Sequence, residues 1–269
     1  MDLHRFFQRI KFNEEPHVNL NTLAKLQELF LLNVIFENLD IHYGPTIMAV
    51  DPEKAFHKVV EQGRGGFCYE LNALFASVLR EIGFQVELLS CFHTINPRSE
   101  TDFSHMFLLV RLNHDYIVDV GNGQSFRTPL RADGSNKSRL PEGYVYRVGP
   151  HIEGQTLYFK KDGESFWTPR YHFNPTPRQF SQFDCRSIYI QTDPGSFCTK
   201  HPLVTLALPD GRISLTDASF KINKAGATTE TPVPDEKTFF EILKAEFNYP
   251  AHLIPRTRQH FPQCCYFLF

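Results

Sequence analysis

From Leu71 onward the apolar residues Leu71, Leu74, Phe75, Val78, Leu79 and Ile82 recur at spacings of three and four, so this stretch must bury one face of a helix. Gly83 supplies a stop, because a residue free to turn left-handed commonly ends a helix. The other end constrains the chain further. The run Arg64-Gly65-Gly66-Phe67-Cys68-Tyr69-Glu70-Leu71-Asn72 sets a cysteine at the helix start, behind a flexible glycine pair flanked by an arginine. Cys68 precedes Leu71 by three positions and shares its inward face. There the unpaired N–H groups and the positive end of the macrodipole favour an anion. A free thiol has a pKa of about 8.5, and such surroundings lower it by one to several units. A small buried core residue is the bland alternative.

A nucleophilic cysteine needs a base, and the base needs an orienting group. Downstream, residues 105–112 and 116–120 are β-rich runs around the polar break Asn113-His114-Asp115, a hairpin signal. His105 opens the first run and Asp119 nearly closes the second. With a three-residue loop, Leu112 faces Tyr116 and His105 faces Gly123. Asp119 then shares a face with His105 but stands four positions along, roughly 13 Å away. Twist, a bulge or another register is needed to bring them together. Cysteine, histidine, acid is the order of a triad in which the histidine takes the thiol proton and the acid fixes the imidazole tautomer. His42, His57, His93 and His114 lie in helical, loop or turn contexts with no acid placed to orient them, and surface or structural roles are expected for each. Without Cys68 upstream, His105 would itself read as an ordinary strand-end histidine.

The run Gly121-Asn122-Gly123-Gln124-Ser125-Phe126-Arg127-Thr128-Pro129 can bring backbone close to a ligand, and Arg127 can meet a phosphate. It lacks the glycine-lysine-serine/threonine ending of a nucleotide P-loop, and a plain tight turn is the competing reading.

These residues resemble the arylamine N-acetyltransferases. The likeness rests on Arg64 to Asn72 as quoted above, on Phe36-Glu37-Asn38-Leu39-Asp40-Ile41, and on His105 followed by Asp119-Val120-Gly121-Asn122-Gly123. It covers about the first half of the chain. The resemblance implies Cys68 as the acetyl-accepting nucleophile, His105 as its base and Asp119 as the orienting acid. It also implies acetyl-coenzyme A as co-substrate and a small aromatic amine, hydrazine or hydroxylamine as acceptor. Phe36, Phe67, Asn122, Gly123, Phe126 and Arg127 are the candidate contacts to substrate or coenzyme A. Two departures stand out. Asn122 replaces the phenylalanine common between the two glycines, and Asn33-Val34-Ile35 stands where an isoleucine-proline pair is frequent.

Such equipment suits acyl transfer. A thiolate attacks a thioester, coenzyme A leaves, and the acyl-enzyme waits for an amine, in ping-pong order. The backbone N–H of Cys68 with a second N–H is the expected oxyanion site. Two other enzyme readings stay open: an amide synthase using a longer acyl donor, and a cysteine hydrolase or transglutaminase-like enzyme. A non-catalytic binding protein with an inherited pocket is a third.

At 269 residues with 42% hydrophobic composition, the chain can bury a full core. A net charge of -2 gives no pull toward nucleic acid or an anionic membrane. The start, Met1-Asp2-Leu3-His4-Arg5, has no apolar signal region, and no stretch approaches a membrane span, so a cytoplasmic protein is expected. Cys91, Cys185, Cys198 and Cys264-Cys265 have no zinc-like spacing, and His260 near Cys264 reads as a chance neighbour, so no metal is expected. The expected fold is α+β. A helical bundle spans residues 1–83 and carries the nucleophile. An antiparallel β-barrel with His105 and Asp119 spans 84–190, and an α/β lid spans 191–269. The helical bundle, barrel and lid, with a cysteine-protease-like Cys-His-Asp core, agree with what the resemblance implies. Strand-like runs lie at residues 85–92, 105–112, 116–120, 143–148, 156–160 and 187–191, then at 203–208 and 212–215. A helix starts near Pro52, and after a soft stretch at 224–234 Asp235 caps a last helix bearing Phe239, Leu243 and Phe247.

Overall fold

A computed structural model describes residues 1–44, 50–93, 103–152 and 154–253. Cys264, Cys265 and His260 lie outside the described residues, as does the side chain of His93.

The first part is helical: α1 (Leu3–Ile10), α2 (Leu20–Asn33), the short α3 (Leu39–Tyr43) and α4 (Pro52–Phe56), and α5 (Cys68–Ile82). Between α2 and α3 runs a two-residue strand, β1 (Phe36–Glu37). Asp51 caps α4 as expected, its carboxylate accepting the N–H groups of Glu53 and Lys54. Helix α5 ends at Gly83, whose φ of 110° is the left-handed stop anticipated from the sequence.

Eight strands follow: β2 (Gln85–His93), β3 (His105–Arg111), β4 (Asp115–Val118), β5 (Leu130–Arg131), β6 (Ser138–Arg139), β7 (Tyr144–His151), β8 (Gly154–Lys161) and β9 (Thr168–Phe173). They form one antiparallel sheet in the order β5-β4-β3-β2-β9-β8-β7-β6, curled until β5 meets β7. Its interior is filled by Leu89, Phe107, Leu109, Ile117, Phe126, Tyr146, Leu157, Tyr171 and Phe173. The alternate residues Met106, Leu108, Val110, Tyr116 and Val118 face outward into the helical core with Leu71, Leu74, Phe75 and Val78 of α5. Strand β3 is buried on both faces, which presses the start of α5 against the barrel wall.

Two short helices, α6 (Asp184–Thr192) and α7 (Phe197–Lys200), lead to a second sheet. It comprises β10 (Leu203–Leu208), β11 (Gly211–Thr216), β12 (Ser219–Lys224) and β13 (Ala227–Pro232), and the helix α8 (Glu236–Phe247) closes the described chain's last core. Strand β1 joins this sheet beside β10, so a piece of the first part is stitched into the last. Among the described residues no helix is long and apolar enough to cross a membrane.

Three local expectations are corrected. Residues 187–191 alternate like a strand but form part of α6. The alternation misleads because Ser187 and Gln191, one helical turn apart, are the buried pair, and Gln191 Nε2 donates to the Ser187 hydroxyl at 3.0 Å. The soft stretch at 224–234 is largely strand β13. Every residue of β13 is exposed, so no apolar alternation marks it. It pairs with β12 across the two-residue turn Ala225-Gly226, both at positive φ as a type I′ hairpin requires. The β3-β4 hairpin has a register different from the counted one: Arg111 pairs with Asp115 and Leu108 with Val118.

Candidate active site

The glycine pair ahead of Cys68 is required by close approach. A Cβ on Gly65 would stand 2.1 Å from the Ile35 carbonyl oxygen, and Gly66 bridges Phe36, its own carbonyl accepting the Glu37 N–H at 2.9 Å. Flexibility, expected from the sequence, is therefore not the glycines' role. The first turn of α5 is then anchored through Glu70. Its Oε2 accepts the Phe67 N–H at 3.0 Å, and both its oxygens accept Lys58 Nζ at 3.0 Å. Lys58 also meets Asp40 Oδ2 at 2.9 Å, while Arg64 reaches Asp40 at 2.6 Å and Glu37 at 2.9 Å. Burial alone would pull the Lys58 ammonium down, yet Glu70, Glu37 and Asp40 hold this lysine above its ordinary range. Three acids and two bases thus fix the loop that presents Cys68.

The altered hairpin register closes the gap between His105 and Asp119. Pairing ends at Leu108 and Val118, and by that register His105 is diagonal to Asp119 rather than four positions away. His105 Nε2 stands 2.9 Å from Asp119 Oδ2, with both residues buried. A carboxylate only accepts, so Nε2 carries the proton and the lone pair of the neutral ring sits on Nδ1. Asp119 Oδ1 accepts Asn72 Nδ2 at 3.1 Å and the Gly121 N–H at 2.9 Å. The Tyr171 hydroxyl lies 3.4 Å from Oδ2. Burial would raise the Asp119 carboxyl, but the charge and hydrogen bond of His105, with Asn72 and Gly121, hold it below the usual range. A Cβ on Gly121 would fall 2.8 Å from both Cα and the carbonyl oxygen of Cys68. The loop after Asp119 therefore lies directly on the start of α5.

The Cys68 thiol is pushed well above its ordinary value, first by burial and then by neighbouring Cys198 and Asp119, while the Tyr69 N–H pulls it down. This corrects the expectation of a lowered thiol: in this enclosure desolvation outweighs the helix terminus.

The remaining candidates divide. Phe36 and Gly123 adjoin, for a Cβ on Gly123 would meet the Phe36 ring at 3.7 Å. Asn122 Oδ1 accepts Arg170 Nη2 at 2.7 Å. Phe67 is buried and packs edge-on to Tyr69, with centroids 5.5 Å apart. Phe126 is fully buried in the barrel interior. Arg127, expected at a phosphate, is instead buried against Glu142 at 2.8 Å and the carbonyls of Leu208 and Gly211. Its charge ties the barrel to the second sheet. His57 does have an oriented acid, Glu61 at 2.6 Å, but the pair is an exposed one a helical turn apart. His42 is buried, its Nε2 2.9 Å from the Cys198 carbonyl oxygen. Among the described residues no group of three or more His, Cys, Asp or Glu side chains is arranged to hold a metal ion.

Asn72, Tyr171, Lys58 and Arg170 join the site beyond the residues expected from the sequence. Asn72 and Glu70 were in view within the quoted signature. Tyr171 and Arg170 come from a distant strand and carry no local signal.

Comparison with known proteins gives a consistent picture. A family model described as N-acetyltransferase matches residues 19–253. The chain is 32% identical to an arylamine N-acetyltransferase of Mycolicibacterium smegmatis, over 85% of this chain and 84% of that one. It is 31% identical to an arylamine N-acetyltransferase / N-hydroxyarylamine O-acetyltransferase of Salmonella typhimurium, covering 91% and 88%. The structure is similar to that of the Mycobacterium marinum arylamine N-acetyltransferase in complex with CoA, with TM-score 0.83 at 25% identity over 92% and 93% of the chains.

Proposed function

The chain belongs to the arylamine N-acetyltransferase family and is an acyltransferase, and from this premise we propose that it moves an acetyl group from acetyl-coenzyme A through Cys68 to the nitrogen of an arylamine, arylhydrazine or N-hydroxyarylamine. The observation that carries the reading is the His105–Asp119 pair at 2.9 Å, buried beside the loop that lies on the Cys68 backbone.

The residues divide the work as follows. The Cys68 proton passes to His105 Nδ1 as the sulfur attacks the thioester carbonyl carbon. Asp119, kept ionised, steadies the imidazolium and holds its tautomer. The oxyanion is met by the Cys68 N–H and a second donor. Collapse breaks the carbon–sulfur bond to coenzyme A, which leaves with the His105 proton. In the second half the amine attacks the Cys68 thioester, His105 takes the nitrogen's proton, and the amide departs as the thiol is restored. The relative solved with CoA supports coenzyme A as the carrier, and the Salmonella relative's name supports arylamines as acceptors at nitrogen and N-hydroxyarylamines as acceptors at oxygen. The division into bundle, barrel and lid at 1–83, 84–190 and 191–269, and a cytoplasmic setting, belong to the same reading.

Intact-protein mass after brief mixing with acetyl-coenzyme A, without amine, tests it. One acetyl adduct is expected on wild type and none on Cys68→Ala, and an arylamine should discharge it. An adduct of equal yield on Cys68→Ala, or none on wild type, overturns the assignment.

A further inference from the structure

The outer wall of the barrel carries a patch that the active site does not use. Along β7, Tyr144, Tyr146 and Val148 pack on the barrel interior, and along β8 Leu157 and Phe159 do the same, so the alternate residues Arg147, Tyr158 and Lys160 stand on the outside. Trp167, on the turn between β8 and β9, folds back over them. The Arg147 guanidinium lies 4.5 Å from the centroid of its ring, Lys160 Nζ 5.3 Å and Lys137 Nζ 5.9 Å. One indole thus gathers three cations that repel one another. Arg139 and Lys161 flank the group, Arg139 paired with Asp162 and Lys161 set 5.9 Å from the Tyr144 ring centroid. The two acids of the hairpin are engaged, Asp162 by Arg139 and Glu164 by the Lys161 N–H, which its Oε2 accepts at 3.0 Å. Five cations therefore stand against two acids, in a chain whose net charge is -2. That net charge conceals the patch, because a sum over the sequence does not record where cations gather. Next to Trp167, Phe166 is 86% exposed. An exposed phenylalanine by itself is ordinary. Beside a tryptophan and within a collar of lysine and arginine, it completes the composition of an interfacial anchor: apolar tip, amphipathic ring, basic rim.

We propose that the β8-β9 turn is a peripheral docking surface for an anionic lipid bilayer, with Phe166 entering the headgroup boundary, Trp167 lying at headgroup depth, and Lys137, Arg139, Arg147, Lys160 and Lys161 meeting lipid phosphates. Charge complementarity selects an anionic surface, and the exposed phenylalanine selects one with an apolar interior. A single-stranded nucleic acid is the other polyanion that such charge attracts, but it binds by stacking bases on free aromatic faces. Here Arg147, Lys160 and Lys137 lie against Trp167, which leaves Phe166 alone for stacking. The surface is independent of the acetyl-transfer chemistry and stands or falls without it.

Trp167 is the chain's one tryptophan, so its emission reports on this spot alone. The test mixes the full chain with vesicles of phosphatidylcholine, or of phosphatidylcholine and phosphatidylglycerol in equal amounts, and reads flotation and Trp167 emission at low and physiological salt. Flotation and a blue shift are expected with the anionic vesicles only, weakening as salt rises. Phe166→Ser should lower the partition coefficient by about tenfold. Lys137→Glu/Lys160→Glu should lower it by about twentyfold or more, since each basic residue near an anionic leaflet is worth about fivefold. Thermal midpoints of the variants, taken alongside, separate a lost surface from a lost fold. Neither flotation nor a shift with anionic vesicles overturns the inference, as does binding that survives undiminished in both variants. Emission that responds to a single-stranded oligouridylate and not to vesicles would make the patch a nucleic-acid surface and overturn it equally.

Discussion

Asn72 spans the gap between helix and barrel by donating Nδ2 to Asp119 Oδ1 at 3.1 Å while its own Oδ1 accepts the Val120 N–H at 3.1 Å. The same Nδ2 reaches the Met106 carbonyl at 2.7 Å, so one fully buried amide holds α5, β3 and the loop after β4 in register. Asn72 lies four positions after Cys68, one turn further along the same helix. The helix that carries the thiol is thus also the helix that positions the acid.

Asn72→Leu keeps the volume and removes every one of these bonds. Each buried group left unpaired costs about 1–3 kcal/mol. We expect a thermal midpoint lowered accordingly and a slower single-turnover acylation of Cys68, read by mass. A variant with wild-type acylation would show that Asp119 needs no help from Asn72.

Lys58→Met leaves Glu70 and Asp40 facing each other without their shared cation. Breaking a buried ion pair from one side costs roughly 3–5 kcal/mol. The double variant Lys58→Met/Glu70→Gln should be less destabilised than the sum of its single changes, because the two residues act as a unit. Urea midpoints for the four proteins decide this, and additive losses would contradict the coupling.

Acid sensitivity follows from Asp119. Its folded carboxyl is held below the unfolded value of about 3.9, so its stabilising contribution is full above that value and is lost as pH falls through the folded value. The stability gap between wild type and Asp119→Asn should therefore narrow as urea midpoints are taken from pH 6 toward pH 3. A gap that stays constant would mean that Asp119 is not preferentially ionised in the fold.

His105→Ala removes the only proposed acceptor for the Cys68 proton and leaves a thiol raised by burial. Alkylation of Cys68 by iodoacetamide at neutral pH, followed at the peptide level because Cys185 is exposed, should slow by about tenfold or more. An unchanged rate would place the base elsewhere.

Gly121→Ala puts a methyl 2.5 Å from Asn72 Nδ2 and 2.8 Å from the Cys68 backbone. Overpacking of this kind costs about 1–3 kcal/mol, and acylation should fall with it because the methyl pushes on the first turn of α5. Normal stability with normal acylation would show that the loop yields freely.

Much of the molecule was legible residue by residue. The helix from Cys68 to Ile82 announced itself because one face is apolar and a glycine ends it, and the order of Cys68, His105 and Asp119 named the three residues worth watching. Asp51 and Asp235 were readable as caps because capping is local chemistry, a side-chain oxygen serving N–H groups two or three residues on. The exposed strand β13 and the helix α6 were misread for the converse reason. A strand with no buried face carries no alternation, and a short helix whose buried residues are polar imitates one.

The sequence by itself determined which side chains can do chemistry here and that they share faces of neighbouring elements, because helix and strand periods are properties of the local backbone. Only the tertiary structure brought His105 to Asp119 and laid the loop after Asp119 on the Cys68 backbone. The His105–Asp119 distance depends on where the β3-β4 hairpin turns, and a shift of two positions separates a gap of roughly 13 Å from a hydrogen bond. The fates of Arg127 and of the Cys68 thiol were decided in the same way. An arginine that local reading offered to a phosphate is claimed by Glu142 from another strand, and a thiol at a helix start is raised rather than lowered because distant elements close over it. Burial and partnership are sums over the whole fold, and no window of sequence contains them.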